Sequence, residues 1–365
     1  MRVVHVVTRS HHRGAEVVAL ELARALDEIG HENHVLAIGL GADGREVEDL
    51  APLVRSARIN ASTLLRGWWR LRTALADRPA DIVVAHGGAA AILVALPGGA
   101  RRAARVWQRI LGLPVAHWGA LRRLSWFMIA RQFDGVVALS RQLEIEVRGI
   151  GYRGPVWVIP NARDPRRFAE VNRTEASTIL RGQLGLDEDA PLLAFVGHMV
   201  AQKQPELAVD VLAEVLTNHP RAHLVMAGDG DRRPSVARRA SELGVERSVT
   251  LLGHRDDPEV VFAAADLALI TSEAEGVPGV AIEAHMAACP VVSFDVGAIT
   301  DVVEDGVTGA VVVAGDTSRM AARVSDLLSR PRELRAMGEE GAARSSAFTM
   351  ASVAALYAAR FTELT

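Results

Sequence analysis

The sequence is poor in lysine and cysteine, and each shortage narrows what the chain can be. Of its 41 basic residues only Lys203 is a lysine, so charge alone is carried almost everywhere by arginine. A compact ammonium with three donors survives at one place, where a planar guanidinium would not serve equally. A single cysteine, Cys289, excludes an intrachain disulfide and fits a reducing cytoplasm. No apolar run reaches the roughly 20 residues that span a bilayer. The opening MRVVHVVTRS reads as a first strand and not as a signal peptide. The expectation is a soluble or peripheral cytoplasmic protein. Two further absences exclude particular chemistries. The stretch from Thr8 to Glu16 lacks G-x-G-x-x-G, so no dinucleotide fingerprint stands after the first strand. No His/Cys pair shows zinc-ligand spacing.

What is present is a long alternation of apolar, β-branched runs and amphipathic stretches, the pattern of βα units around parallel sheets. At 365 residues, with 49% hydrophobic content, the chain suits two domains, each with a buried sheet. Strands are predicted at 3–7, 33–38, 81–86, 135–139 and 155–159 in the first half. In the second they fall at 192–197, 222–228, 248–253, 266–270, 290–294 and 309–313. Residues 160–190 mix Pro, Asn, Arg and Asp and read as a linker, and 317–365 reads as helical.

The net charge of −3 conceals an asymmetry, because residues 1–165 carry +7 and the remainder −10. Much of the excess lies in Arg101, Arg102, Arg105, Arg109, Arg122, Arg123 and Arg131, interleaved with Trp107, Trp118, Trp126 and Phe127. Such a segment forms either a basic face for an anionic membrane or acceptor, or helices whose aromatics are core and whose arginines are merely solvated.

Residues 266–316 carry the chemistry. The run ADLALI ends in a loop with Glu275 and Gly276, and helical residues then lead to a second carboxylate, Glu283. The spacing of eight is a little over two helical turns. A helix starting near Pro278 therefore aims its N-terminal N–H groups where Glu275 faces. That makes an anion site with one carboxylate at its mouth and another further in. Phosphate for the amides and hydroxyls for the acids would satisfy every group, and a nucleotide sugar offers both.

Glu275-Gly276, Glu283-Ala284 and Pro290-Val291-Val292 resemble the paired-glutamate signature of family 4 retaining glycosyltransferases. The resemblance runs through most of the chain in order. It takes in Asp134 to Ser140, Ile159-Pro160-Asn161, Asp164 with Phe168, Phe195-Val196-Gly197, Gln202-Lys203, Ala227 to Gly230 and Leu252-Gly253-His254. It implies an α/β GT-B fold, two Rossmann-like doubly wound parallel-sheet domains facing across a cleft. The N-terminal acceptor-side domain would span 1–163 with a returning helix at 348–365. The nucleotide-sugar domain would span 164–347.

The resemblance also implies roles. Lys203 would hold the donor diphosphate together with the backbone around Gly276, Val277, Pro278 and Gly279. Glu275 would bind donor-sugar hydroxyls and Glu283 the ribose, and Gly253 and His254 would line the same site. Arg13 and Gly14 match the first-lobe glycine loop, and His86, at a strand's carboxyl end, matches the cleft histidine that guides the sugar. The chain departs from the family at His198, where arginine commonly follows the glycine, and at Ala288 and Ala162, usually glycine. Arg13-Gly14 also supplies one glycine where two are usual. Asp229-Gly230-Asp231 spells a metal-binding D-x-D but matches an ordinary turn of this family, so no metal or other cofactor is expected.

The implied function is retaining, metal-independent transfer from a nucleotide-diphosphate sugar to a hydroxyl. The acceptor would be a secondary-metabolite aglycone or sugar, or a lipid-linked or cell-envelope glycan. Nucleic acid is not an implied partner, and weak peripheral membrane contact through the basic first domain stays open. Two alternatives also remain open: an inactive nucleotide-binding homologue, and a nucleotide-sugar epimerase of the same architecture.

Overall fold

The computed structural model describes residues 1–10, 14–41, 50–98, 100, 102–110 and 118–365. Arg13 and Arg101 fall outside them. The chain divides into two compact units, Met1–Asp164 with Thr349–Thr365, and Pro165–Phe348.

The first unit contains β1 (Arg2–Ser10), α1 (Gly14–Glu28), β2 (Glu32–Leu40), β3 (Ala51–Pro52), α2 (Ala61–Asp77), β4 (Ile82–His86) and α3 (Gly87–Ala95). It continues with β5 (Ala104–Arg109), α4 (Ala120–Ala130), β6 (Gly135–Ala138), α5 (Arg141–Gly149) and β7 (Val156–Val158). Its strands pair in parallel in the order β3-β2-β1-β4-β5-β6-β7. Side chains alternate across the sheet, so two cores form. Val4, Val6, Val83, Ala85 and Trp107 pack with α2, α3 and α4 on one face. Val7, Val35 and Ala37 pack with α1 on the other.

The second unit holds α6 (Arg166–Ala169), α7 (Arg173–Leu184), β8 (Leu192–Val196), α8 (Pro205–Val215), β9 (His223–Ala227), α9 (Arg233–Glu242) and β10 (Val249–Gly253). Then come α10 (Pro258–Ala264), β11 (Leu267–Ile270), α11 (Gly279–Met286), β12 (Val291–Phe294), β13 (Gly309–Val312), α12 (Thr317–Leu328) and α13 (Pro331–Arg344). The strand order is β10-β9-β8-β11-β12-β13, again all parallel. The core is aliphatic, with Phe195 and Phe294 among valines, leucines and methionines. The last helix, α14 (Met350–Thr362), packs on α1 and so belongs to the first unit.

In both sheets the strand order reverses once, between β1 and β4 and between β8 and β11. An open parallel sheet offers a crevice at such a point, outside the carboxyl ends of its strands.

Two expectations are corrected. The segment 160–190 is not a plain linker, because α7 occupies twelve residues of it and packs against α10. Asn172 caps its start by accepting from the Thr174 and Glu175 amides, and Gly185 ends it in the left-handed region. The Arg- and Trp-rich stretch is not all surface either. Residues 104–109 form an interior strand, where Trp107 is fully buried and Arg109 is paired with Glu146 at 3.1 Å.

Candidate active site

At the second sheet's reversal point the loops after β8 and β11 are fastened to each other. Thr271, the first residue beyond β11, is fully buried and donates from Oγ1 to the Lys203 and Gln204 carbonyls at 3.1 and 3.0 Å. The Glu273 amide donates to the Gln202 carbonyl, and Gln202 Nε2 donates to the Ala274 carbonyl, each at 2.8 Å. These bonds set Lys203, at the end of a short 3-10 turn, Ala201–Lys203, beside Glu275. Lys203 Nζ donates to Glu275 Oε1, which also accepts from Ser272 Oγ at 2.6 Å. The Lys203 side chain keeps 24% of its surface exposed and that of Glu275 8%.

The stoichiometry of this pair decides what it can do. An ammonium has three donors and a carboxylate two oxygens. Among the described residues the pair uses one donor and one oxygen, leaving two N–H groups and Oε2 for a ligand.

The loop that carries Glu275 is held from behind. The Ala298 amide donates to the Gly276 carbonyl at 3.0 Å, and Gly297 has φ +58. A Cβ on Gly297 would lie 2.0 Å from the Glu275 carbonyl oxygen, so only glycine lets the two loops close. Pro278 then caps α11, whose first amides, those of Gly279 and Val280, precede the first intrahelical bonds. Glu283 is half-buried on α11, with buried Ala281, Ile282, Ala284 and His285 around it.

The neighbouring loops close on one another in the same way. The Met199 amide donates to the Asp229 carbonyl at 2.9 Å, and the Gly228 amide to that of Gly253 at 2.7 Å. His198 stands exposed after Gly197, and exposed His254 pairs with Asp256 at 3.2 Å. The structure thus sets Lys203, Glu275, Gly276, Val277, Pro278 and Gly279 at one reversal point, with Glu283 on the helix that leads away from it. His198, Gly253 and His254 lie on adjacent loops of the same strand ends. Asp229 Oδ1 accepts from the Gly230 amide at 2.8 Å within its own turn. No group of metal-ligating side chains occurs among the described residues.

The first unit's reversal point is built differently. Gly14 opens α1 there, and His86 ends β4. His86 is buried with both ring nitrogens engaged, Nε2 to His5 Nδ1 at 3.0 Å and Nδ1 to Gln108 Oε1. His5 Nε2 meets Asn33 Oδ1 at 3.1 Å, and Gln108 Nε2 meets the buried Tyr357 hydroxyl of α14 at 2.9 Å. Register explains the line. His86 lies directly opposite Gln108 on β5, whereas His5, opposite Val84, is its diagonal neighbour on the same face.

Burial holds His5 down at about 4 and His86 at about 3, the latter pushed further by His5 itself. Two neutral imidazoles bring two ring hydrogens to three contacts. The chain is therefore complete when the Gln108 amide turns its NH2 toward His86 and accepts from Tyr357. A direct bond from His86 to a sugar would have to displace one of these partners.

Sequence reasoning missed Thr271, Ser272 and His5. The first two are hydroxyls immediately after a strand, the only local signal available. His5 sits in mid-strand, where a lone histidine says nothing.

Two family descriptions match the chain in tandem. Residues 12–167 match Glycosyltransferase Family 4, and residues 177–344 match Glycosyl transferases group 1. The chain belongs to the family 4 type glycosyltransferases. Among relatives, a D-inositol 3-phosphate glycosyltransferase of Nocardia farcinica is 34% identical over 246 residues, covering 64% of this chain and 53% of that protein. An alpha-D-kanosaminyltransferase of Streptomyces kanamyceticus is 32% identical over 180 residues, covering 48% and 46%. The chain spans about half the length of the curated relatives it matches. Among solved structures, Anabaena Alr3699/HepE in complex with UDP-glucose has a TM-score of 0.84 at 20% identity, covering both chains fully. WaaG, a glycosyltransferase of lipopolysaccharide biosynthesis, has a TM-score of 0.76 at 18% identity, with 99% of each chain covered. These likenesses establish the GT-B fold.

Proposed function

We propose that the chain is a retaining, metal-independent glycosyltransferase that takes a sugar from a nucleoside diphosphate and delivers it to an acceptor hydroxyl. The observation that carries this reading is the Lys203–Glu275 pair at the second sheet's reversal point, beside the start of α11. Breaking a sugar–diphosphate bond builds negative charge on the leaving oxygens and positive charge on the ring. Donors preorganised at those oxygens are the largest lever a site has. The two remaining Lys203 donors and the first α11 amides supply them. Glu275 Oε2 would accept from a donor-sugar hydroxyl and Glu283 from the ribose. The leaving phosphate would take the acceptor proton on the face it departs from, which gives retention without a carboxylate nucleophile.

His198 and His254 would border the nucleotide, and the family likeness would assign Arg13 and Gly14 to the donor phosphate. His86 would guide the sugar by exchanging Gln108 for a sugar hydroxyl. Acceptors in scope are an aglycone or sugar, a cell-envelope lipid or glycan, and inositol 3-phosphate, which some relatives' names specify.

The test is titration calorimetry with UDP, GDP and ADP, followed by a release assay on the sugar nucleotide of whichever diphosphate binds. Transfer or slow hydrolysis with the anomeric configuration kept is expected. Binding without turnover would assign the chain to a binding role. Excess chelator should leave the rate unchanged, and loss restored by magnesium or manganese would bring Asp229 and Asp231 back as ligands.

A further inference from the structure

Residues 82–133 contain seven arginines and no aspartate or glutamate. The structure sorts these arginines. Arg109 is interior, paired with Glu146 and stacked 5.7 Å from the Trp107 and Trp118 rings. It therefore belongs to no docking face. Arg122 and Arg123 stand exposed on α4, and the Arg122 guanidinium lies 4.5 Å over the Trp118 ring.

The inner side of α4 is aromatic, with Trp126 stacked on Trp107 at 5.4 Å. Its outer side is apolar as well. Leu121, Leu124 and Met128 are 84%, 57% and 48% exposed. Steps of three and four place them in one stripe along the helix. On α2, in the same layer over the same sheet face, Leu65 and Trp69 are exposed one turn apart. Arg72 lies 5.8 Å over the Trp69 ring and Arg66 is exposed beside it. The second unit has nothing comparable, since its exposed large apolar residues, Ile179, Leu243 and Val313, stand on separate elements.

We propose that the outer faces of α4 and α2 form a docking surface for an anionic lipid bilayer, with the leucines, Met128 and Trp69 at the headgroup boundary and the arginines on lipid phosphates. Charge and composition together select this occupant. A stripe of Leu, Met and Trp rimmed by arginine, without a single acid on α4, has the character of an interfacial helix. An acidic protein partner would match the arginines but would leave the apolar stripe without a stated counterpart. At eleven residues α4 is about 16 Å long, too short to cross a bilayer and suited to lie on one. No described helix is long and apolar enough to cross a membrane. The proposal does not depend on the reading of the second unit's site.

The test is sedimentation of the full chain with vesicles of phosphatidylcholine alone and of phosphatidylcholine with an equal amount of phosphatidylglycerol, at low and physiological salt. Binding to the anionic vesicles only, weakening as salt rises, is expected. Arg122→Gln with Arg123→Gln should weaken binding roughly 30-fold, from about 1 kcal/mol for each arginine near the surface, and should flatten the salt dependence. Leu121→Ser with Leu124→Ser and Met128→Ser should also weaken binding but keep that dependence. These residues are exposed, and an unchanged circular dichroism melt checks the fold. Val313→Ser serves as the neutral control. The proposal is overturned by no binding to anionic vesicles at low salt, by equal binding to both vesicle types, or by variants that bind like the parent.

Discussion

The two units share one topological plan and use its reversal point in opposite ways. In the second, the strand ends carry Lys203 and Glu275, which keep two donors and an oxygen for a ligand. In the first, the strand end carries His86, both of whose nitrogens are consumed inside the unit by His5 and Gln108. The difference comes from what surrounds each point. Tight glycine turns bring the second sheet's loops against one another and hold their polar groups at the rim. In the first unit a polar line from Asn33 to Tyr357 fastens α14 to the sheet and keeps its histidines in the interior. A shared topology thus provides a place for a site, and local loop chemistry decides whether the place is open.

The comparison would break most visibly at Lys203. Lys203→Ala should leave the fold intact and lower turnover at saturating donor by about 10²–10³-fold, the usual result of removing one leaving-group donor. Near-normal turnover would mean that the open reversal point is not the reactive one. A next, smaller effect separates the two carboxylates. Ribose contacts exist before and during the chemical step, so Glu283→Ala should raise the donor KM by roughly 10–100-fold, the worth of a charged hydrogen bond. Glu275→Ala should instead lower kcat, because contacts to the transferring sugar strengthen as its charge develops. Identical kinetic signatures would show that at least one acid is misassigned.

The interior histidines sharpen the comparison through pH. His5 and His86 have folded values of about 4 and 3, below the 6.5 of an unfolded histidine, and His285 of the second unit sits at about 4, chiefly through burial. The unfolded chain therefore binds more protons over this range. Stability is fully present above about pH 6.5 and falls as pH drops toward 4, by up to about 1.4 kcal/mol per pH unit for each histidine. Hydrogen exchange at pH 7 and pH 5 should show β1 and β4 losing protection as the medium is acidified. His5→Gln should reduce that loss. An unchanged slope in the variant would remove the histidine pair as its cause.

Much of the second unit was legible because its strands are buried on both faces and read as β-branched runs. The first unit hid β5, since Ala104–Arg109 begins and ends next to arginines that resemble surface. It also hid His5, which no spacing rule marks. At the site, the two glutamates and the start of α11 followed from spacing alone. The partnership of Lys203 with Glu275 did not, because it joins loops 72 residues apart through Thr271 and Gln202. One departure from the family pattern proved to be a backbone matter. Ala288, where glycine is usual, has φ +54 just beyond the end of α11.

That position gives the smallest expected effect and a clean one. A residue in the left-handed region just past a helix suits glycine, because a Cβ there crowds the backbone. Here the conformation is held by its surroundings. The Arg173 guanidinium donates to the Ala287 carbonyl at 3.2 Å and also to that of Ala288. Gly338 of α13 lies so close that a Cβ on it would come within 2.2 Å of the Ala288 oxygen. Ala288→Gly should relieve the strain at the cost of a more flexible unfolded chain, for a net stabilisation of about 1 kcal/mol. The gain should appear in denaturant unfolding of the second unit and leave the first unit's transition where it was. The Gly279 and Val280 amides, at the far end of α11, should keep their place, so any change in donor affinity should be small and come through Glu283. A loss of stability would mean that Arg173 and α13 favour alanine's geometry over glycine's freedom, and that the departure is an adaptation of this chain and not a tolerated strain.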